Sequence, residues 1–151
     1  VDPAIRILET GGEPALQRGA KYARERVVFD RPIGMNQGIQ HPLAARWAEL
    51  EAANLLTMKA AWILDQGGFA RKEVSMAKIV VADALQKSVD TALQLLGARG
   101  YSKDTVIEWM YRYARQARLV DGASEVHRMV LANVLRAEGS GFFAWGPPKH
   151  G

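Results

Sequence analysis

From Arg71 to Leu96 the sequence contains neither glycine nor proline, and along it Ala77, Val81, Ala84, Leu85, Ser88, Ala92 and Leu95 recur at steps of three and four. That spacing puts the apolar residues on one face of a long helix. The rest of the chain is equally rich in Ala, Leu, Gln, Glu, Lys and Arg, and alternating β-branched runs bounded by turn pairs do not occur. The fold class is therefore all-α.

The remaining helices are delimited by their breakers. Glu13-Pro14 opens a first helix, since proline suits a first turn and an acidic residue there complements the helix dipole. Its apolar face is Ala15, Leu16, Gly19, Ala20, Ala23 and Val27, and it is expected to end near Phe29, before the loop Asp30-Arg31-Pro32-Ile33-Gly34. A second helix should begin between Gly38 and Pro42 and reach about Asp65, with Leu43, Trp47, Leu50, Asn54, Met58, Ala61 and Leu64 inward, until Gly67-Gly68 stops it. Gly97 and Gly100 end the third helix. Asp104 is expected to cap a fourth that runs through Val106, Trp109, Met110 and Tyr113 to about Leu119. After the break at Asp121-Gly122, a last helix over residues 123–138 carries Val126, Met129, Val130, Asn133 and Val134 inward. Short connections between such helices specify an antiparallel bundle of the four-helix type. Residues 13–138 form this domain, residues 1–12 have no clear assignment, and residues 139–151 are a tail, either docked extended chain or residues foreign to the domain.

At 151 residues the chain has room for one core. It has no cysteine, which excludes disulfides, thiolate metal sites and thiol catalysis. No apolar run approaches the roughly 18 residues of a membrane span, and the first residues lack the basic-then-apolar order of a signal peptide. A soluble protein is expected, without membrane span. The net charge of +4 is too mild to argue for nucleic acid.

Most conspicuous residues have plain readings. Trp47, Trp62 and Trp109 sit at helical spacing among apolar neighbours, which favours core packing over ligand stacking. His41 and His127 have no second ligand at a suitable spacing, so no metal site is expected. The clusters Arg18, Lys21, Arg24, Arg26, Arg31 and Arg112, Arg115, Arg118 read as solvated faces, with phosphate binding as the sharper alternative. Gly97-Ala98-Arg99-Gly100 allows close backbone approach, Gln37, Gln40 and Gln94 lie at helix ends, and Asp121 is a carboxylate held at a break by a following glycine. Most Asp-Gly pairs are turns; a carboxylate so placed could also be a base.

Three motifs carry a resemblance. Tyr22-Ala23-Arg24-Glu25-Arg26-Val27-Val28-Phe29, followed by Pro32-Ile33 and Gln37-Gly38-Ile39-Gln40, resembles the Tyr-Ala-x-x-Arg-x-x-Phe, Pro-Ile and Gln-x-x-Gln signature of the acyl-CoA dehydrogenase family's C-terminal helical domain. Gln94-Leu95-Leu96-Gly97-Ala98-Arg99-Gly100-Tyr101 is similar to that family's Gln-x-x-Gly-Gly-x-Gly-Tyr. The stretch from Arg112 to Arg128 resembles its closing Arg-Asp-Ala-x-x-x-x-Ile-Tyr-Glu-Gly-Thr-Ser-x-x-x-Arg.

The resemblance implies the C-terminal domain of an FAD-dependent enzyme whose other domains lie outside this sequence. The reaction it implies is α,β-dehydrogenation of an acyl-CoA thioester, in which a carboxylate takes the α-proton and the β-hydrogen leaves as hydride to flavin N5. Electrons then pass to an electron-transfer flavoprotein. By position, Asp121 is the implied base, Gly122 lies against substrate, and Arg26, Phe29, Gln37, Gln94, Gly97, Ala98, Ala123 and Glu125 serve FAD. Arg26 matches a pyrophosphate-binding arginine. A homodimer or homotetramer is implied, with the third helix and the turn from Gly97 to Gly100 as the expected contact. The compartment implied is the cytoplasm in a bacterium, or the mitochondrion or peroxisome in a eukaryote.

Four positions depart from the pattern. Asp121 is one methylene shorter than the usual Glu, Ala123 replaces Thr, Ala98 replaces the second Gly and Tyr113 replaces Asp. Asp121-Gly122, with Glu125-Val126-His127 after it, is similar to a subgroup reading Asp-Gly-Pro-Asp-Glu-Val-His. Nitroalkane oxidases of the same superfamily also use an Asp base, on a small substrate without CoA, and offer a second enzymatic reading. A non-catalytic helical oligomerisation module is the third.

Overall fold

The computed structural model describes residues 11–143; residues 1–10 and the end of the tail, from Ala144, lie outside them. In chain order it comprises α1 (Glu13–Glu25), a hairpin of β1 (Val27–Val28) and β2 (Arg31–Pro32), a 3-10 turn (Ile33–Met35), α2 (Gln37–Asp65), α3 (Arg71–Leu96), α4 (Ala98–Tyr101), α5 (Ile107–Gln116), α6 (Ser124–Glu138) and a 3-10 turn (Gly139–Phe143). The all-α expectation holds, and α3 has the bounds its lack of breakers predicts.

The long α3 is the axis of the domain and packs against α1, α2, α5 and α6. Its buried face is built of small residues, Ala77, Ala82, Ala84, Ser88 and Ala92, interleaved with Val81, Leu85 and Val89. Small side chains let neighbouring backbones come close, as where Gly19 of α1 rests against Ala92 and Leu95. On one side Leu16, Leu50 and Ala53 meet Val81 and Ala84. On the other Ile107, Met110, Ala114 and Ala117 meet Leu85, Val89, Ala92 and Leu96. Each larger residue so buried stabilises the fold by about 1.5–3 kcal/mol.

Cross-helix ion pairs fix the directions. Glu49 pairs with Lys87 and Lys59 with Glu73, so α2 runs antiparallel to α3. Gly11 lies against Leu85 and Gly19 against Ala92, so α1 runs parallel to α3. α6 crosses the N-terminal half of α3, with Arg128 on Asp83 and Glu138 on Lys72. The tail turn is docked as a 3-10 turn rather than as extended chain: the Lys72 ammonium donates to the Phe142 carbonyl (2.7 Å) and lies 5.1 Å from the Phe142 ring centroid.

Four expectations are corrected. First, α1 ends at Glu25, because the chain beyond it turns back as a hairpin, Val27 pairing with Pro32 and Val28 with Arg31. Second, the inward face of α2 is Leu50, Ala53, Thr57, Ala60 and Ile63, rotated from the expected stripe; Trp47, Met58 and Leu64 are exposed. The tryptophans are not core: Trp47 and Trp62 are each 49% exposed and Trp109 is 60% exposed, stacked on Tyr113 with ring centroids 5.4 Å apart. Third, α5 begins at Ile107, whose N–H donates to the Thr105 hydroxyl (3.3 Å), so Thr105 and not Asp104 serves its start, and it ends at Gln116. Fourth, α6 fully buries only Ser124; its inward side is the half-buried stripe His127, Val130, Leu131 and Val134, while Val126, Met129 and Asn133 are exposed. α3 packs against four helices and keeps Val74, Val80, Lys87, Asp90 and Gln94 exposed along its length. Among the described residues no helix is long and apolar enough to cross a membrane.

Candidate active site

The chain between α5 and α6 reverses direction through two consecutive left-handed residues, Asp121 at φ 54° and Gly122 at φ 84°. Aspartate tolerates this region better than most side chains. Gly122 has a second reason to be glycine, since a Cβ there would lie 2.9 Å from Nε2 of His127. Ala123 then precedes α6 in extended conformation, and Glu125 in the first turn complements the helix dipole while pairing with Arg118 (3.8 Å) and Arg128 (3.4 Å).

Asp121 has an exposed side chain and an engaged backbone. His127 Nε2 lies 3.3 Å from the Asp121 carbonyl oxygen, and Nδ1 lies 3.2 Å from Oγ of Ser75 on α3. A carbonyl only accepts, so Nε2 carries a proton and donates, while the Ser75 hydroxyl, which both donates and accepts, pairs with Nδ1. Burial holds the Lys78 ammonium below the usual lysine range, while the charges of Asp121 and Glu125 pull it the other way. Lys78 donates to the Ala117 carbonyl (2.7 Å). Beside Asp121 opens a hollow of about 450 Å³, lined by Leu64, Phe69, Ala70, Val74, Val126 and Val130 together with Arg71, Ser75, Gly122 and His127. A carboxylate at the rim of an apolar hollow can take a proton from an otherwise apolar molecule.

Arg26, Phe29, Gln37, Gln94, Gly97 and Ala98 lie together at the opposite end of the bundle. Contacts of Gly34 with Ala23 and of Gly19 with Ala92 and Leu95 bring the end of α1, the start of α2 and the end of α3 to that one end. Arg26 closes α1, its N–H donating to Tyr22 (2.8 Å) and its carbonyl accepting from Ile33 (2.9 Å). Phe29 and Asp30 form the hairpin tip with φ of 51° and 62°, and Phe29 is 94% exposed. The side chains of Arg26, Gln37 and Gln94 are exposed and make no hydrogen bond or ion pair with another described residue. At Gly97 the backbone has φ 60° and ψ −138°, with nothing within 4 Å of where a Cβ would be. The Gly97 N–H already donates to the Gln94 carbonyl (3.2 Å), so this turn offers an uncovered surface rather than a free Gly97 amide.

The expected site residues thus fall into two groups, Asp121, Gly122, Ala123 and Glu125 at one end and the other six at the far end. Along α3, Ser75 beside the first group and Gln94 in the second are separated by roughly 28 Å at about 1.5 Å per residue. The sequence reading gave no role to three residues of the Asp121 group: Ser75, Lys78 and His127. His127 stands in the sequence only as a rejected metal ligand and as the last residue of the Asp-Gly motif, and its contacts with Ser75 and Asp121 come from tertiary packing that no local spacing signals. Among the described residues no group of three or more His, Asp or Glu is placed to hold a metal ion.

Known proteins share both sequence and shape with this chain. It is 43% identical over 123 residues to the 3-(aryl)acrylate reductase of Clostridium sporogenes, covering 82% of this chain and 33% of the relative. It is 37% identical over 143 residues to the mitochondrial short-chain specific acyl-CoA dehydrogenase of Bos taurus, covering 87% of this chain and 35% of the relative. The butyryl-CoA dehydrogenase structure from Megasphaera elsdenii superposes with a TM-score of 0.85 at 30% identity, over 88% of this chain and 34% of that one. The chain therefore spans about a third of the length of these proteins. The model of the acyl-CoA dehydrogenase C-terminal domain matches residues 11–136, and with these likenesses it shows that the chain belongs to the acyl-CoA dehydrogenase family and carries its C-terminal domain.

Proposed function

We propose that this domain completes a longer FAD-dependent acyl-CoA dehydrogenase in which Asp121 is the general base. The observation that carries the reading is the position of Asp121, held in a left-handed Asp-Gly break at the rim of an apolar hollow. The α-proton of the thioester passes to the Asp121 carboxylate as the β-hydrogen leaves as hydride. FAD, when bound, supplies the two-electron acceptor for that hydride. An ordinary aspartate has a pKa of about 3.9 and is a weak base at neutral pH. Exclusion of water by an acyl chain and the remaining domains makes a carboxylate so placed a stronger base. With Asp in place of Glu, the domain falls in the Asp-Gly subgroup.

The far end of the bundle suits the cofactor by the chemistry of its donors. Arg26 offers a guanidinium for a pyrophosphate, Gln37 and Gln94 offer amides, and Phe29 offers a bare aromatic face. Gly97 and Ala98 leave the turn beside Gln94 uncovered, while Ala123 and Glu125 would meet the flavin end. Because the two groups lie at opposite ends, one domain does not enclose a whole cofactor alone. Two or four copies associating would complete it, and the exposed Trp47, Leu55, Met58 and Trp62 of α2 supply apolar area for that association. An electron-transfer flavoprotein is the proposed electron acceptor.

The test is turnover by the full-length, FAD-loaded polypeptide against a panel of acyl-CoA thioesters and, in parallel, nitroalkanes. Dehydrogenation of a thioester is the expected result. Oxidation of nitroalkanes alone would move the reading to a nitroalkane-oxidase-like enzyme, which the shorter Asp121 also suits. Activity on neither, with association of copies retained, would leave a helical oligomerisation module.

A further inference from the structure

We infer that His127 is a positioning residue, which pins the Asp121–Gly122 peptide to α3 and so sets the direction in which the Asp121 carboxylate is presented. The inference rests on the reading of Asp121 as the base. Three observations converge on the imidazole. Its Nε2 donates to the Asp121 carbonyl (3.3 Å), its Nδ1 faces the Ser75 hydroxyl (3.2 Å), and the Gly122 backbone lies so close that a Cβ would approach Nε2 to 2.9 Å.

The chemistry of the two partners fixes a proton on Nε2. Asp121 presents a carbonyl and demands a proton on Nε2, while the Ser75 hydroxyl can donate to or accept from Nδ1 and so holds the other side of the ring. Ser75 is only 3% exposed and sits on the central helix, so the imidazole transmits the position of a rigid element to a left-handed loop. Without that link, the loop between Ala117 and Ser124 keeps other ties, among them the Lys78 contact with the Ala117 carbonyl and the Ser124 N–H donating to the Arg118 carbonyl (3.1 Å). Both lie outside the Asp121–Gly122 peptide. The residue that fixes the peptide bearing the carboxylate is His127.

Substitutions separate positioning from bulk stability. Glutamine keeps one donor and one acceptor, leucine keeps the volume and neither, and Ser75→Ala removes the partner of Nδ1 while leaving His127 in place. In the full-length FAD-loaded enzyme, His127→Leu should lower kcat about ten- to a hundredfold with KM little changed, the scale of a misplaced catalytic group. Ser75→Ala should lower kcat in the same direction, and His127→Gln should recover most of the loss. Equal turnover by His127→Leu and wild type, or no recovery by His127→Gln while Ser75→Ala behaves as wild type, would overturn the assignment. If His127→Leu does not fold, the Ser75→Ala and His127→Gln pair decides alone.

A measurement on the 151-residue chain keeps this separate from the identity of the base. The ring carbon shifts of His127 in NMR should report the Nε2–H form, and Ser75→Ala should shift them toward a mixture of tautomers. An Nδ1–H form would overturn the link, whatever Asp121 does. Conversely, an active Asp121→Asn enzyme with the Nε2–H form intact would remove the base reading and leave the link standing.

Discussion

The Lys78 ammonium reaches from the second turn of α3 to the carbonyl of Ala117, the residue that follows α5, at 2.7 Å. Burial lowers the pKa of this lysine in the folded chain. Between that lowered value and the ordinary value of the unfolded chain, the unfolded state binds more protons. Stability contributed by this group therefore rises with pH across that window, and is constant below the folded value. Urea titrations from neutral pH to roughly pH 10 should show this rise in the wild-type chain, and Lys78→Met should flatten it. An unchanged slope in the variant would assign the alkaline behaviour to other groups.

Trp62 and Ile63 are sequence neighbours with opposite surroundings, 49% and 0% exposed. Ile63→Ala empties a core position and should cost about 2–5 kcal/mol of unfolding free energy. Trp62→Ala should cost the isolated domain less than about 1 kcal/mol, despite the larger side chain removed. The same variant should weaken association of copies in sedimentation velocity. A large stability loss in monomeric Trp62→Ala would contradict its exposure.

Gly97 and Gly100 need glycine for different reasons, and denaturation of two alanine variants separates them. At Gly97 there is open space but a backbone at φ 60° and ψ −138°, so Gly97→Ala should cost about 1–3 kcal/mol by strain alone. At Gly100 a Cβ would lie 2.7 Å from the Leu93 carbonyl oxygen and 2.9 Å from Cβ of Leu96. Gly100→Ala must displace backbone, and a loss of about 1–3 kcal/mol is expected from overpacking. The Gly100 loss should come with perturbed α3–α5 packing, seen as faster amide exchange around Leu96 and Ile107, while Gly97→Ala should leave those amides protected.

What the sequence made legible depended on how local the cause was. The bounds of α3 follow from the absence of breakers between Arg71 and Leu96, and the Asp121-Gly122 break follows from its own residues. The hairpin after α1 was hidden because its tip, Phe29-Asp30, holds two left-handed residues without a glycine to announce them. The rotated face of α2 was hidden because close helix packing selects small residues such as Ala53 and Ala60, whereas large apolar residues such as Trp47 and Met58 drew the expected stripe. The motifs located Asp121 and Arg26 by their order along the chain. They could not supply Ser75 or Lys78, or the contacts of His127, which exist only once α3 and α6 cross.

The central claim is that Asp121 takes the substrate proton, and rapid-mixing reduction of the bound flavin tests it most directly. In the full-length FAD-loaded Asp121→Asn variant, anaerobic mixing with a competent acyl-CoA should bleach the flavin about 10²- to 10⁴-fold more slowly than in wild type, the range for loss of a general base. Acyl-CoA binding should persist, because the amide keeps the shape of the side chain. Flavin reduction in Asp121→Asn at a rate within a few-fold of wild type would contradict the account.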